Sequence, residues 1–398
     1  MRPREPELLS SSTANHSGHP LASAAWREGD PVAGRHFVDL GAVDLELGGT
    51  IPDVRVAYET WGTLADDRSN AVLVLHALTG DAHAYGSTAP GQPTPGWWNG
   101  VIGPGAALDP ARWFVISANV LGGCSGTTGP SSTAADGRPY GSRFPRITVR
   151  DQVAVERRLI DHLGIDRLAA VLGGSMGGMR ALEWLVQAPG SVASALVLAV
   201  GAEATADQIA TQSVQVQAIT TDPAWLEGDY ASLGAGSGPH VGLGIARRIA
   251  HLTYRSELEL SVRFGRQGQA DEDALRDGRY AVESYLDHHA AKLSRRFDAG
   301  SYVALTQAMS SHDIGRGRGG VERALAGVDV PVVVAGVDTD RLYPVRLQAE
   351  LAELLPRAGK LRVIESPYGH DAFLIEVDAV AQLVSDTLAA SGAPGASR

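Results

Sequence analysis

Cysteine is almost absent from this chain of 398 residues, which contains only Cys124. A single cysteine cannot form a disulfide within the chain or supply a cysteine-based metal cluster, so we expect a reducing, cytoplasmic setting. Long apolar runs are also missing. No stretch approaches the ~18 apolar residues that a membrane span needs, and the first 34 residues lack the apolar run of a signal peptide.

Positively charged residues are also few relative to negatively charged ones. The chain has 34 Lys and Arg against 45 Asp and Glu, a formal net charge of -11. Nucleic-acid binding needs a clustered basic surface, and no run of Lys and Arg provides one, so neither nucleic acid nor a membrane is an expected partner. Hydrophobic residues make up 44% of the chain, which is enough for the large core of a single enzyme.

The hydrophobic pattern predicts an α/β fold. Two alternating segments, 37–47 and 54–61, are typical of an antiparallel hairpin. Six further strands, separated by helices and loops, are predicted near 71–76, 113–118, 168–172, 194–200, 331–335 and 361–365. This order indicates a mostly parallel, doubly wound sheet.

One segment interrupts this alternation. Residues 201–313 contain helical runs and no comparable strands, so we expect them to form a helical lid. The core then consists of residues 35–200 and 314–388. A disordered leader is predicted at 1–34 and a flexible tail at 389–398.

The most informative motif is GGSMG at 173–177, between a short apolar strand and a helix. Ser175 in such a turn must adopt a strained backbone that exposes its hydroxyl, and side chains two residues away on either side would clash with the turn. This pattern is typical of the nucleophile elbow of α/β-hydrolases. Small-residue turns between strands and helices are common, so the motif needs partners to be interpreted as catalytic.

A serine nucleophile requires a histidine base and a carboxylate that orients it. In the α/β-hydrolase order, the acid follows a late strand and the histidine lies near the C-terminus. His370 occupies that position, in the loop after the last predicted strand. Asp338 and Asp340 both follow the preceding strand, and the one that is not the acid is expected to cap the helix that begins near Leu342.

The oxyanion hole is expected to use two backbone N–H groups. One is that of Met176, the residue after the serine, and the other comes from the loop that follows the strand at 70–76. His76, at the end of this strand, is interpreted as a structural histidine. His288, His289 and His312 lack the spacing of a metal site, so no metal is predicted.

Six strings together resemble the homoserine O-acetyltransferases over roughly residues 37–388. They are HALTG at 76–80, PGWW at 95–98, NVLGGCSGTTGP at 119–130, GSMGG at 174–178, DRLYP at 340–344 and GHD at 369–371. The resemblance implies transfer of an acetyl group from acetyl-CoA to the hydroxyl of L-homoserine, in methionine biosynthesis. It also implies a homodimer, acetyl-CoA as a co-substrate and no permanently bound cofactor.

The resemblance also assigns residues. It favours Asp340 over Asp338 as the acid and places the second oxyanion N–H at Leu78. It assigns Arg247, with Tyr254, to the homoserine carboxylate and Asp371 to its ammonium group. Arg247 and Tyr254 lie seven positions apart, hence on one helical face, although a solvated arginine and a packing tyrosine would show the same spacing.

Three related functions share most of these motifs. A homoserine O-succinyltransferase or a serine O-acetyltransferase would keep all of them. A serine carboxylesterase would keep the triad and the oxyanion hole but would not need the charged contacts to an amino-acid acceptor.

Overall fold

The computed structural model describes residues 19–393. Its strands are β1 (His36–Asp44), β2 (Thr50–Trp61), β3 (Ala71–Leu75), β4 (Phe114–Ala118), β5 (Ala170–Gly174), β6 (Ala195–Leu198), β7 (Val332–Val337) and β8 (Arg362–Ile364). Its α-helices are α1 (Val149–His162), α2 (Met176–Gln187), α3 (Ala206–Thr220), α4 (His240–Tyr254), α5 (Glu257–Phe264), α6 (Ala281–Ser294), α7 (Ala299–Ser310), α8 (Val321–Leu325), α9 (Val345–Leu354), α10 (Ala372–Ile375) and α11 (Val377–Ala390).

The strands form one sheet in the order β1-β2-β4-β3-β5-β6-β7-β8. β1 pairs with β2, and β2 with β4, in antiparallel fashion, while every later pair is parallel. All five residues of β3 and of β5 are buried, as expected where helices cover both faces of a parallel sheet. The predicted α/β fold, with a mostly parallel sheet and an inserted helical segment, is confirmed.

The helical segment between β6 and β7 leaves and rejoins the core at one point. Glu203 and Asp313 form an isolated antiparallel bridge, and the Ile314 N–H donates to the Ala202 carbonyl at 3.0 Å. Helices α3 to α7 lie between these paired ends, and we use the term lid for residues 201–313. The two ends of the lid are thus joined to each other shortly after β6 ends at Leu198.

Helix α4 of the lid has two distinct faces. Its buried side includes Leu243, Ala246 and Ala250, while Val241 and Ile245 are exposed. Packing among the described residues therefore leaves part of the apolar surface of this helix exposed.

The N-terminal segment differs from the predicted disordered leader. Residues 1–18 lie outside the described part of the chain, but Ala22 and Ala25 are buried, and the Trp26 N–H donates to the Cys124 carbonyl at 2.8 Å. Small side chains and backbone hydrogen bonds hold this segment against the core, so the prediction is wrong for residues 19–34. Of the predicted tail, residues 389 and 390 belong to α11, and 394–398 are outside the described residues.

Among the described residues, no helix combines the length and the apolar character needed to cross a bilayer.

Candidate active site

Ser175 lies in a sharp turn between β5, which ends at Gly174, and α2, which begins at Met176. Its backbone has φ 57° and ψ −126°, a conformation that costs a non-glycine residue roughly 1–3 kcal/mol. A Cβ at Gly173 would collide with the backbone of Gly177, and one at Gly177 would collide with the Leu75 carbonyl. The two glycines therefore allow the close approach that the turn needs.

Three side chains form a hydrogen-bonded row across the ends of β5, β7 and β8. His370 Nε2 lies 2.8 Å from Ser175 Oγ, and His370 Nδ1 lies 2.6 Å from Asp340 Oδ2. All three residues are buried. Because the carboxyl ends of parallel strands meet at one edge of the sheet, residues far apart in sequence come together here.

The two aspartates of the β7 loop have different partners. Asp340 contacts His370 through one oxygen, and its other oxygen accepts the Leu342 and Tyr343 N–H groups, both at 2.8 Å. Asp338 instead accepts the Ser366 N–H at 3.0 Å. The expected capping is not observed, because helix α9 begins at Val345, after Pro344, and no side chain caps it. The two N–H groups of the loop instead fix the Asp340 carboxylate.

The environment of His370 favours its protonated form. Burial is the largest influence and lowers the pKa, but the charge and hydrogen bond of Asp340, together with the charge of Asp371, outweigh it, so the pKa lies above the usual value of 6.5. The imidazole is surrounded by the rings of Tyr254, Tyr343 and Phe373. A base with a raised pKa and a fixed orientation is suited to accept a proton from Ser175.

The two predicted oxyanion donors lie on either side of the serine turn. Met176 is the first residue of α2, so its N–H has no carbonyl partner within the helix. Leu78 lies in a turn after β3, which the Gly80 N–H closes by donating to the Ala77 carbonyl at 2.9 Å, and it lines the same cavity as Ser175.

His76 has a structural role, as predicted. Its Nδ1 lies 2.8 Å from the Ala77 carbonyl, and its Nε2 accepts the Val120 N–H at 3.1 Å. Burial and the nearby Arg180 lower its pKa to about 3, so the ring is neutral near pH 7.

A cavity of about 250 Å³ lies above the triad, between the core loops and the lid. Its walls include charged groups of both signs, at Asp81, Arg247, Lys292, Arg296 and Asp371. Such a cavity suits a small ligand that carries opposite charges.

Arg247 and Tyr254 both face this cavity from α4. The Arg247 guanidinium lies 5.5 Å from the centre of the Tyr254 ring, and its Nη1 donates to Thr79 Oγ1 over 3.4 Å. The adjacent Arg248 pairs with Asp287 on α6 at 2.9 Å. The structure therefore separates the two arginines, with only Arg247 in the cavity.

Asp371 also lines the cavity, but it already has a cationic neighbour. Arg255 Nε lies 3.1 Å from Asp371 Oδ2. Burial raises the pKa of Asp371, and Arg255 and Arg247 offset this only in part. An incoming ammonium group would therefore compete with Arg255 for this carboxylate.

Sequence reasoning missed Lys292 and Arg296, which bring two more cations to the cavity. Their spacing of four positions is a weak signal, because exposed helices commonly show it. Lys292 lies on α6, which packs against α4, and Arg296 follows the end of α6, so only the folded lid brings both to the cavity. Within residues 19–393, no three His, Cys, Asp or Glu side chains are grouped in a way that could hold a metal ion.

Comparison with known proteins gives a consistent result. The alpha/beta hydrolase fold family matches residues 70–377. The homoserine O-acetyltransferase of Thermobifida fusca (strain YX) is 60% identical over 369 residues, which cover 92% of this chain and 97% of that protein.

Two solved structures are also similar. The homoserine O-acetyltransferase from Bacillus anthracis has a TM-score of 0.82 and 28% identity, with 89% of this chain and 97% of that chain covered. Esterase E22 has a TM-score of 0.80 and 28% identity, with 89% and 99% covered. The same scaffold thus occurs in a transferase and in an esterase, so the cavity has to distinguish the two activities.

Proposed function

This chain belongs to the homoserine O-acetyltransferase family, and we propose that it transfers an acetyl group from acetyl-CoA to the side-chain hydroxyl of L-homoserine. The products are O-acetyl-L-homoserine and CoA, as a step of methionine biosynthesis. The observation that carries the proposal is the Ser175–His370–Asp340 row beneath a cavity that holds Arg247 and Asp371, one charge for each end of an amino acid.

In the first half-reaction, Ser175 attacks the thioester carbonyl of acetyl-CoA. His370 Nε2, which lies 2.8 Å from Ser175 Oγ, takes the serine proton. The N–H groups of Leu78 and Met176 stabilise the tetrahedral oxyanion. When this intermediate collapses, the carbon–sulfur bond breaks, His370 protonates the departing thiolate, and Ser175 remains acetylated.

In the second half-reaction, the homoserine hydroxyl gives its proton to His370 and attacks acetyl-Ser175. Collapse of the second tetrahedral intermediate returns that proton to Ser175 and releases the ester. Asp340 holds the imidazole orientation through both steps and stabilises the imidazolium. Because CoA leaves before the acceptor reacts, the kinetics should be ping-pong.

The charged groups of the cavity account for the choice of acceptor. Arg247, with Tyr254 beside it, holds the homoserine carboxylate. Asp371 binds the ammonium group, which displaces Arg255 from this carboxylate. The lid covers this site and limits the access of water, which would otherwise hydrolyse the acyl-enzyme.

The same proposal includes the assembly and setting of the protein. It is a cytoplasmic homodimer with no permanently bound cofactor and with acetyl-CoA as its co-substrate. Exposed apolar side chains on two lid helices, Val241, Ile245 and Leu252 on α4 and Leu258 and Val262 on α5, support contact with a second copy.

Release of free CoA tests donor and acceptor together. Purified protein is supplied with acetyl-CoA or succinyl-CoA, and with L-homoserine, L-serine or no acceptor. We expect rapid release only from acetyl-CoA with L-homoserine. Equal release without an acceptor would favour the esterase activity, for which the likeness to esterase E22 is the supporting observation.

A matched pair of arginines tests the acceptor contact. Arg247→Met should raise the KM for L-homoserine roughly 30-fold or more, because it removes a charged hydrogen-bonding partner. It should leave acylation by p-nitrophenyl acetate, which has no carboxylate, nearly unchanged. Arg248→Met, which removes the neighbouring charge on the lid surface, is the control, and an equal effect of both substitutions would contradict the assignment.

A further inference from the structure

Two arginines of the lid reach the same residue of the core, Thr79, which follows the proposed oxyanion donor Leu78. Arg296 Nη1 donates to the Thr79 carbonyl at 2.7 Å, whereas Arg247 Nη1 reaches only the Thr79 hydroxyl, at 3.4 Å. A bond to a carbonyl fixes the backbone, and a long bond to a side chain does not. Arg296 therefore restrains the Thr79 backbone, whereas Arg247 contacts only its side chain.

The other end of this turn is held by the core. The Ala77 carbonyl accepts hydrogen bonds from the Gly80 N–H at 2.9 Å and from the His76 ring at 2.8 Å. The His76 carbonyl accepts one from the buried Arg180. The core thus fixes residues 76 and 77, while the carbonyl of Thr79 is held from the lid.

Arg296 is presented from a rigid part of the lid. It is followed by the buried residues Phe297 and Asp298. The Asp298 carboxylate accepts the Ser301 N–H at the start of α7 at 2.8 Å and the Tyr230 hydroxyl at 2.8 Å. A guanidinium attached to so fixed a backbone can hold its partner in one place.

We propose that Arg296 is a positioning residue for the oxyanion hole. By holding the Thr79 carbonyl, it sets the orientation of the turn that presents the Leu78 N–H, so stabilisation of the oxyanion depends on the docked lid. This inference rests on the proposed role of that turn in acyl transfer. A misplacement of about 1 Å in such a site can lower a rate roughly 100-fold, so one carbonyl contact is enough to matter.

The competing explanation is that Arg296 binds an anionic group of a substrate, either a phosphate of CoA or the carboxylate of homoserine. p-Nitrophenyl acetate separates the two, because it has neither group and yet must acylate Ser175 through the same oxyanion. A substrate-binding cation would not affect its reaction, whereas a positioning residue would.

The experiment measures the burst of p-nitrophenolate from the full-length protein. Arg296→Met should slow acylation roughly 10- to 100-fold, with the KM for the ester within about twofold of the original. Arg296→Lys, which keeps one donor and the charge, should restore part of the rate. Arg295→Met removes the neighbouring exposed cation and should leave the rate unchanged.

Unchanged acylation in Arg296→Met, with a raised KM for acetyl-CoA or L-homoserine, would overturn the proposal. Thermal unfolding of each variant checks the fold. If Arg296→Met does not fold, acylation by Arg296→Lys that is slower than in the parent supports the positioning role, and an unchanged rate overturns it. The result is independent of the acceptor. If the protein does not use L-homoserine, the proposed function is refuted, but the p-nitrophenyl acetate assay still tests the role of Arg296.

Discussion

Two aspartates of one loop, two positions apart, differ in the contact that makes Asp340 the proposed catalytic acid. Asp340 reaches His370, while Asp338 accepts the Ser366 N–H. Asp340→Asn should lower kcat/KM for acetyl transfer roughly 10³- to 10⁴-fold, because the imidazole loses the partner that fixes its tautomer. Asp338→Asn retains an oxygen that can accept from Ser366 and should change the rate only slightly. Comparable losses in steady-state assays of both variants would contradict the assignment.

The pH dependence of acylation follows from the charge around His370. The base must be neutral, so the rate should rise with pH through the His370 pKa, which lies above 6.5 because Asp340 and Asp371 outweigh burial. Asp371→Asn removes one of these negative charges, lowers the pKa and should move the acidic limb to lower pH. The rate of p-nitrophenyl acetate acylation against pH measures this shift without the ammonium contact. An acidic limb of the pH–rate profile that is unchanged in Asp371→Asn, or shifted to higher pH, would refute this explanation.

Single residues of the site differ in how far the sequence could predict them. Ser175 and His370 follow from local motifs and chain order, since the elbow needs its glycines and the fold fixes the order of the strands. The residues alone do not separate Asp338 from Asp340, because the Ser366 N–H that engages Asp338 comes from a loop 28 positions away. Arg296 is less predictable still, as its partner Thr79 is 217 positions away in sequence.

The turn between β5 and α2 is a single element whose shape depends on close backbone contact. Alanine normally stabilises a helix over glycine by about 1 kcal/mol, but a Cβ at Gly177 would meet the Leu75 carbonyl. Gly177→Ala should therefore lower the free energy of unfolding by about 2 kcal/mol or more. Gly190→Ala, at a site with no atom within 4 Å of the added Cβ, is the control. Chemical denaturation of both variants measures the difference, and a stabilised Gly177→Ala would contradict the steric argument.

Element by element, the strands were the most predictable part. Each apolar run gave a strand close to its predicted position, because buried parallel strands need continuous hydrophobic residues. The segment at 19–34 was not predictable in this way. Its order comes from small residues such as Ala22 and from backbone hydrogen bonds to the core, which leave no periodic pattern in the sequence.

At the scale of the whole molecule, the lid presents an apolar face that residues 19–393 leave exposed. Val241, Ile245 and Leu252 lie on one side of α4 and are exposed by 72%, 44% and 43%. Ile245→Asp should convert the proposed dimer to a monomer, because it places a charge within that face. Leu275→Asp, at another exposed lid position, should leave the assembly unchanged. Light scattering after gel filtration measures both masses, and a monomeric parent protein would refute the proposed dimer.

In the proposed reaction, Ser175 carries the acetyl group between the two substrates. Mass spectrometry of the protein mixed with acetyl-CoA alone detects this intermediate. We expect a gain of one acetyl group on the peptide that contains Ser175, no gain in Ser175→Ala, and loss of the label with formation of O-acetyl-L-homoserine when L-homoserine is added. Product formation by Ser175→Ala at the parent rate, or a label that L-homoserine does not remove, would contradict it.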